Sequence, residues 1–235
     1  MIEASTLNTQ LTCVSGYWKI KNKHGDNFNS WFANSLKINC PYVFFGDDES
    51  LEQIKIHRSG LPTHYIKCDI LDFFTYKYKN RVIVDPTHCP SAELNLIWNE
   101  KIFLVKRASE INPFSSDFFC WVDAGICVYR HVSPPSAPFP NLMKLKQLPT
   151  NKFIYSSSNN YLPVSPNNHT VSGTAYVLHR SFISTFAEIY CEYLDKNDGL
   201  EFWTDQIILT RILQKHPQLF SKLCNGYGKI VPHLM

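Results

Sequence analysis

The acidic residue that ends the most apolar stretch of the chain is the first candidate for chemistry. Asp123 follows the run FFCWV and precedes Ala124 and Gly125. Ligands of open α/β sheets collect outside the carboxyl ends of strands, so an acid placed there is a candidate binding residue. Its carboxylate could hold a divalent cation, Mn²⁺ or Mg²⁺, against phosphate oxygens. An acid is equally typical of a turn after a strand, so Asp123 alone leaves both interpretations open.

A second acid stands at the start of a predicted helix in the segment WTDQIILTRIL. Thr204 is a suitable capping residue, and Asp205 and Gln206 fall in the first helical turn. Negative charge at that position is favourable by roughly 0.3 to 1 kcal/mol. A structural role therefore accounts for Asp205 when it is considered by itself.

Gly173 and His233 are further candidates. Gly173, followed by Thr174, interrupts the strand-like TVSGTAY, which indicates a bulge or a place where a ligand or backbone comes close. His233 lies near the C-terminus in KIVPHLM, where Ile230 and Val231 are apolar enough to dock the tail. A docked histidine could bind a metal, although most lone histidines do not.

Four residues are candidates for holding a nucleotide. Ser15, Gly16 and Tyr17 end the first predicted strand and could hold a base and ribose through backbone donors and an aromatic face, with core packing as the alternative for Tyr17. Lys101 could direct a cation toward a diphosphate, but a solvated lysine on the polar face of its helix is the more common arrangement. Neither GxGxxG nor GxxxxGK[ST] occurs in the sequence.

Hydrophobic patterning predicts the elements that must position these residues. Strands are predicted at QLTCVSGYW, PYVFFGDD, THYIKCDI, FFCWVDAG, KFIYSSS and TVSGTAYVLH. Helices are predicted at NFNSWFANSL, DESLEQIKI, SAELNLIWNEKIFLVKRASEI, residues 181–194 and residues 204–215. A Pro/Ser-rich excursion occupies about 131–168. The alternation favours one α/β domain over 1–235, with a mostly parallel central sheet flanked by helices.

Composition limits the classes of partner. The 235 residues are 44% hydrophobic and 18% charged, which is typical of a packed globule. A formal charge of +3, with no run of five like charges, gives little support to nucleic-acid binding. No signal peptide or membrane span is apparent, and the eight cysteines lack a CxxC pair and are expected to be reduced. These features predict a cytoplasmic protein.

Four blocks taken together resemble one protein family. The blocks LNLIWNEKIFLVKRA, NPFSSDFFCWVDAG, VSGTAY and WTDQIILTRILQKHPQLF are similar to the bacterial HtrL/WlaTC group of glycosyltransferases. The resemblance implies a GT-A-like fold, a nucleotide-diphosphate sugar as donor, a glycan or other hydroxyl acceptor, and a divalent cation. It also implies a metal-binding acid, an acceptor-loop glycine, a later acid that starts a helix, and a C-terminal histidine, which match Asp123, Gly173, Asp205 and His233 in that order.

The chain departs from this pattern at one position. The usual metal motif has two acids separated by one residue, whereas Gly125 stands at the second position here. If the reaction inverts the anomeric centre, the resemblance implies Asp205 as the general base, with Glu201 as its substitute. A non-catalytic glycan- or nucleotide-binding protein on a degenerate GT-A scaffold remains an alternative, as does a nucleotidyltransferase.

Overall fold

The described residues form a seven-stranded sheet with helices on both faces. The computed structural model describes residues 11–22, 24–158, 169–196 and 204–235. The strands are β1 (Leu11–Gly16), β2 (Tyr42–Gly46), β3 (Thr63–Lys67), β4 (Phe118–Val122), β5 (Phe153–Ser157), β6 (Val171–His179) and β7 (Phe220–Asn225). The helices are α1 (Asn27–Ser35), α2 (Asp48–His57), α3 (Ala92–Ile111), α4 (Leu142–Leu145), α5 (Arg180–Asp195), α6 (Asp205–Lys215) and α7 (Ile230–Leu234).

The strand order of the sheet is β3-β2-β1-β4-β6-β5-β7. Strand β6 is antiparallel to both of its neighbours, and all other adjacent strands are parallel. Six of the strands therefore point the same way, which confirms the predicted α/β fold class with a mostly parallel central sheet flanked by helices. The chain runs from β1 outward to β2 and β3 and then returns to place β4 on the other side of β1. This reversal creates a topological switch point between the carboxyl ends of β1 and β4.

Each face of the sheet has its own apolar core, because successive strand residues point to opposite sides. In β4, Phe119 and Trp121 belong to one core, and Cys120 and Val122 belong to the other. Helices α3, α5 and α6 cover the first face, and α1, α2 and α7 cover the second. None of the described helices is both long and apolar enough to span a bilayer.

Helix α3 matches its predicted limits and brings a buried polar stripe to the sheet. Ser91 caps its first turn by accepting a hydrogen bond from the Leu94 amide, and Asn112 ends the helix in the left-handed conformation, with φ of 41°, just before Pro113. Its buried positions include four polar residues, Asn95, Asn99, Glu100 and Lys101. Buried polar groups need partners, so this stripe marks a place where α3 does more than pack.

The C-terminal part of the chain adds elements that the sequence did not predict. Strand β7 extends the sheet beside β5, and helix α7 buries Ile230, Val231 and Leu234 against the second core. The docking expected for the tail is therefore confirmed. Glu201 lies outside the described residues, as do residues 159–168 of the predicted excursion.

Candidate functional site

A cavity opens at the switch point of the sheet. Its walls come from the segment after β1, from Phe28 of α1, from α3, and from the end of β4 and the loop that follows. Aromatic side chains dominate these walls: Tyr17, Trp18, Phe28, Trp98 and Trp121. Cavities of this kind, with apolar walls and a few polar groups, are typical of small-molecule sites.

Lys101 lies at the centre of a buried ionic network on the floor of this cavity. Its Nζ is 2.9 Å from Asp123 Oδ1 and 3.3 Å from Asp205 Oδ2, and it donates a 3.0 Å hydrogen bond to the Gly173 carbonyl. Only 6% of the Lys101 side chain is exposed. The expectation of a solvated lysine is therefore wrong, because the end of β4, β6 and α6 each present one oxygen atom to this face of α3.

Hydrogen bonds to both the backbone and the side chain of Asp123 hold this residue in place. Its amide donates to the Thr174 carbonyl at 2.9 Å, and its Oδ1 accepts a 2.7 Å hydrogen bond from Trp121 Nε1. About a third of the side chain, 32%, remains exposed where it lines the cavity. Asp123 thus stands at the boundary between the buried network and open space, which is where the sequence predicted a site acid.

Gly173 is needed because α6 approaches β6 closely at this point. A Cβ on residue 173 would lie 2.4 Å from Asp205 Oδ2 and 2.9 Å from Gln206 Cγ. The Gly173 amide in turn donates a 3.0 Å hydrogen bond to Gln206 Oε1. Both interpretations of this glycine hold: the pairing of β6 with β5 is irregular between Val171 and Tyr176, and the group that comes close to residue 173 is the first turn of α6.

Burial and ion pairing set the protonation of the network. Burial lowers the pKa of Lys101, but the carboxylates of Asp123 and Asp205 outweigh it and leave the pKa above its usual value. Burial also raises the pKa of Asp205 to about 6, against the opposing effect of Lys101. Asp205 Oδ2 has no well-aligned hydrogen bond among the described residues, so its contact with Lys101 is mainly an ion pair.

The residues predicted to hold a nucleotide separate into two groups. Gly16 and Tyr17 line the cavity, and Gly16 lacks a side chain where the Trp18 ring packs, since a Cβ there would lie 2.6 Å from Trp18 Cζ3. Ser15 does not line the cavity. Its hydroxyl is fully buried inside the sheet and has no hydrogen-bond partner in the described part of the chain.

The described residues do not form a protein-built site for Mn²⁺ or Mg²⁺. His233 is exposed on α7 and is not among the residues that line the cavity with Asp123. Lys101 and Trp121 already occupy Asp123 Oδ1, and Asp205 faces Lys101. Within the ranges that the structure describes, no group of three or more His, Cys, Asp or Glu side chains is suited to a metal. The metal-binding role of His233 stays a prediction.

Arg130 is a cavity residue that sequence analysis missed. It follows a short 3-10 turn, Cys127–Tyr129, that comes after the loop beyond β4. Its guanidinium carbon lies 3.8 Å from the centre of the Trp31 ring, and its Nε donates a 3.0 Å hydrogen bond to the Gly125 carbonyl. A basic residue seven positions after Asp123 was a signal, but its direction depends on Trp31 of α1.

Two solved structures are similar to this chain in outline. The apo-form glycosyltransferase GlyE of Streptococcus pneumoniae TIGR4 is 11% identical, with a TM-score of 0.48 over 92% of this chain and 45% of that chain. The 4-diphosphocytidyl-2C-methyl-D-erythritol synthase of Anaerococcus prevotii DSM 20548 is 9% identical, with a TM-score of 0.44 over 97% of this chain and 92% of that one. The chain thus spans less than half of GlyE, and at these scores neither likeness bears on its activity.

Sequence comparison identifies the family. No curated protein sequence matches the chain. The profile of a bacterial protein family of unknown function, HtrL_YibB, matches residues 84–230. That range contains α3, Asp123, Gly173 and Asp205, and so it includes the whole ionic network. The chain belongs to the HtrL_YibB family, as the resemblance of its sequence blocks predicted.

Proposed function

We propose that this protein is a glycosyltransferase that moves a sugar from a nucleotide-diphosphate sugar to a hydroxyl group of a glycan or another acceptor. The observation that carries the proposal is the Lys101 ammonium, fixed between Asp123 and Asp205 at the edge of an aromatic cavity. A buried, oriented cation beside open space is suited to a ligand that gains negative charge during a reaction.

The chemistry of glycosyl transfer explains why such a cation is useful. The bond between the anomeric carbon and the diphosphate oxygen breaks, and its electron pair leaves with the diphosphate. The acceptor oxygen forms the new bond to the anomeric carbon and gives up its proton. Because the leaving group gains charge, positive groups held in place before the reaction stabilise the transition state without reorganisation.

The contacts of each residue suggest its role in this proposal. Lys101 contributes fixed positive charge, and Asp123 holds Lys101 at the cavity. Tyr17 and Gly16 form the wall nearest the end of β1, where we place the nucleotide. The predicted substrate-binding residues Gly173, Thr174 and Gln206 are assigned a structural role, because their described hydrogen bonds hold the network together. The Asp123 amide donates to the Thr174 carbonyl, Lys101 Nζ donates to the Gly173 carbonyl, and the Gly173 amide donates to Gln206 Oε1.

Asp205 receives a positioning role in place of the predicted role of general base. Its side chain is 6% exposed, packs against Gly173 and pairs with Lys101, and it does not line the cavity. A general base must come within hydrogen-bond reach of the proton that it removes. The other predicted base, Glu201, lies outside the described residues. The proposal therefore names no general base.

The predicted divalent cation would find one described carboxylate at the cavity, that of Asp123. Because one carboxylate is an incomplete set of metal ligands, we base the proposal on the positively charged residues of the chain. The experiment tests metal dependence separately.

Purified protein is incubated with UDP-, GDP- and TDP-sugars in Mn²⁺, in Mg²⁺ or in EDTA. Thermal stabilisation reports donor binding, and release of nucleoside diphosphate reports turnover. We expect at least one donor to stabilise the protein and to be cleaved.

Asp123→Asn tests the site in the same assay. The substitution keeps an oxygen for the Trp121 hydrogen bond but removes the charge that holds Lys101. We expect release of nucleoside diphosphate to fall about 100-fold, the scale for misplacing a reacting group by about 1 Å. Asp48→Asn, which removes an exposed acid on α2, is the matched control and should behave as wild type. Equal release by wild type and Asp123→Asn would remove Asp123 from the site.

The same panel separates the alternative functions. Stabilisation without release of nucleoside diphosphate, with or without acceptor, would indicate a binding protein. Pyrophosphate release from a nucleoside triphosphate and a sugar phosphate would indicate a nucleotidyltransferase.

A further inference from the structure

The charges that line the cavity are unequally compensated. Three charged residues are among those that line it: Lys101, Asp123 and Arg130. Lys101 and Asp123 form an ion pair with each other, and Asp205 adds a second carboxylate to the same ammonium. Arg130 has no ion-pair partner among the described residues. The positive charge available to an incoming anion is therefore mainly that of Arg130.

The guanidinium of Arg130 is fixed in place before any ligand binds. Its carbon Cζ lies over the Trp31 ring, 3.8 Å from the ring centre, and its Nε donates a 3.0 Å hydrogen bond to the Gly125 carbonyl. These contacts leave the two terminal nitrogens, Nη1 and Nη2, without a hydrogen bond in the described part of the chain. A guanidinium held by a cation–π contact and by the hydrogen bond of its Nε presents its remaining donors as a fork, which matches the oxygens of a phosphate group.

Two rings of helix α1 crowd residue 125, the position where the usual metal motif has its second acid. A Cβ on residue 125 would lie 3.0 Å from Phe28 Cε1 and 3.1 Å from Trp31 Cε3, so a side chain there would require these rings to shift by a few tenths of an ångström. Trp31 thus crowds residue 125 and supports Arg130 at the same time. The loop after β4 consequently presents one acid, Asp123, and one base, Arg130, to the cavity.

We propose that Arg130 is a direct ligand of the phosphate groups of the nucleotide donor. This inference rests on the proposed function, and it identifies the group that binds the diphosphate. Arg130 pairs with the negative charge that the diphosphate already carries when it binds, while Lys101 remains in its ion pairs with Asp123 and Asp205. The diphosphate then binds through the chain's own cation, and its binding persists when free divalent metal is removed.

The test compares ligands that share a base but differ in phosphate content. Isothermal titration in EDTA measures Kd for the nucleoside diphosphate of the donor that best stabilises the wild type, for its nucleoside, and for inorganic pyrophosphate. Arg130→Met keeps an apolar contact for Trp31 but removes the charge. We expect Kd for the diphosphate and for pyrophosphate to rise about 10- to 100-fold, because a charge-assisted hydrogen bond is replaced by none. Binding of the nucleoside should change less than about 3-fold.

Two further variants separate a phosphate contact from a folding defect. Arg130→Lys retains the positive charge but not the forked pair of donors. Its Kd for the diphosphate and for pyrophosphate should lie between that of wild type and that of Arg130→Met. Arg211→Met removes an exposed arginine from α6, outside the cavity, and should bind all three ligands as wild type does. Unchanged diphosphate and pyrophosphate affinity in Arg130→Met would overturn the inference.

The outcomes for this inference and for the proposed function are distinct. If no nucleoside diphosphate binds the wild type, the proposed function fails, and the pyrophosphate titration still decides the role of Arg130. Pyrophosphate binding that is lost in Arg130→Met would support an anion site at this residue. No pyrophosphate binding by the wild type would overturn the inference as well.

Discussion

Lys101 carries its charge in the interior of the protein, where an unpaired ammonium would be costly. The carboxylates of Asp123 and Asp205 and the carbonyl of Gly173 offset that cost together. Removing one partner of a buried ion pair leaves an uncompensated charge, which is more destabilising than losing both. The network should therefore respond to substitution as a unit.

Lys101→Met tests this coupling at the residue scale. We expect the free energy of unfolding at pH 7 to fall by about 3 to 5 kcal/mol, because Asp123 and Asp205 would face each other without a cation. Adding Asp205→Asn to Lys101→Met should recover part of that loss. Urea unfolding of both single variants and the double variant measures the coupling. Simple additivity of the two effects would show that the residues do not act together.

The protonation of Asp205 predicts a specific pH dependence. Its pKa is about 6 in the folded chain against an ordinary value of 3.8, so the folded chain binds this proton more tightly than the unfolded chain does. The stability that Asp205 contributes is therefore full below pH 4 and is lost as the pH rises through about 6. The difference of about 2 units between the two pKa values corresponds to a loss of about 3 kcal/mol in the free energy of unfolding.

Asp205→Asn removes this titration. The free energy of unfolding of wild type should fall by about 3 kcal/mol relative to that of Asp205→Asn between pH 4 and pH 7. Urea unfolding at four pH values across this range measures the difference. Parallel curves for the two proteins would show that Asp205 does not titrate with a raised pKa.

At the scale of elements, the contact between α6 and β6 determines whether the network can form. The Gly173 backbone binds Lys101 through its carbonyl and Gln206 through its amide. The Thr174 carbonyl of β6 also accepts a hydrogen bond from the Asp123 amide. One short stretch of β6 therefore aligns α3, β4 and α6, which contribute Lys101, Asp123 and Asp205.

Gly173→Ala tests this contact. The added methyl group would lie 2.4 Å from Asp205 Oδ2, a carboxylate that Lys101 holds in place. We expect a loss of about 1 to 3 kcal/mol in the free energy of unfolding, which is typical of overpacking. Donor binding should weaken at the same time, because α6 must move away from Lys101. A variant as stable as wild type, with unchanged donor affinity, would contradict the described packing.

Arg58 plays a purely structural role at the opposite edge of the sheet. It is 1% exposed and donates hydrogen bonds to four carbonyls, those of Leu36, Ile38, Cys40 and Pro62. These bonds connect the ends of α1 and α2 to the starts of β2 and β3.

Arg58→Met should therefore reduce stability without reducing donor affinity. Leaving buried carbonyls unpaired costs about 1 to 3 kcal/mol each, so we expect a loss of at least about 3 kcal/mol. Thermal unfolding measures the loss, and titration of the folded protein with its donor measures the affinity. A large change in donor affinity at equal folded fraction would show that the two edges of the sheet are coupled.

The elements that sequence analysis predicted are those with a strong local signal. Helix α3 has clear apolar periodicity between Ser91 and Pro113, and β4 is a continuous apolar run that ends at Asp123. Local patterns could not predict the burial of Lys101, because its partners come from the end of β4, from β6 and from α6, and they meet it only in the folded sheet. The direction of Arg130 likewise depends on Trp31, about a hundred residues earlier in the chain.

At the scale of the whole molecule, the strand order places the cavity. The reversal from β3 back to β4 opens the sheet beside β1, and the ionic network and Arg130 both lie at that opening. A second groove, between α5 and α6, is lined by Tyr193, Lys196, Arg211, Lys215 and other residues, and it lies away from the network. We assign the donor to the cavity at the switch point and not to this groove.

The structure of the protein in complex with the nucleoside diphosphate of its best-stabilising donor tests this assignment most directly. We predict that the diphosphate lies in the cavity between β1 and β4, with phosphate oxygens within hydrogen-bond distance of Arg130 and the base against the aromatic wall that contains Tyr17. A nucleotide bound in the groove between α5 and α6, or in the cavity with its phosphates directed away from Arg130 and Lys101, would contradict it.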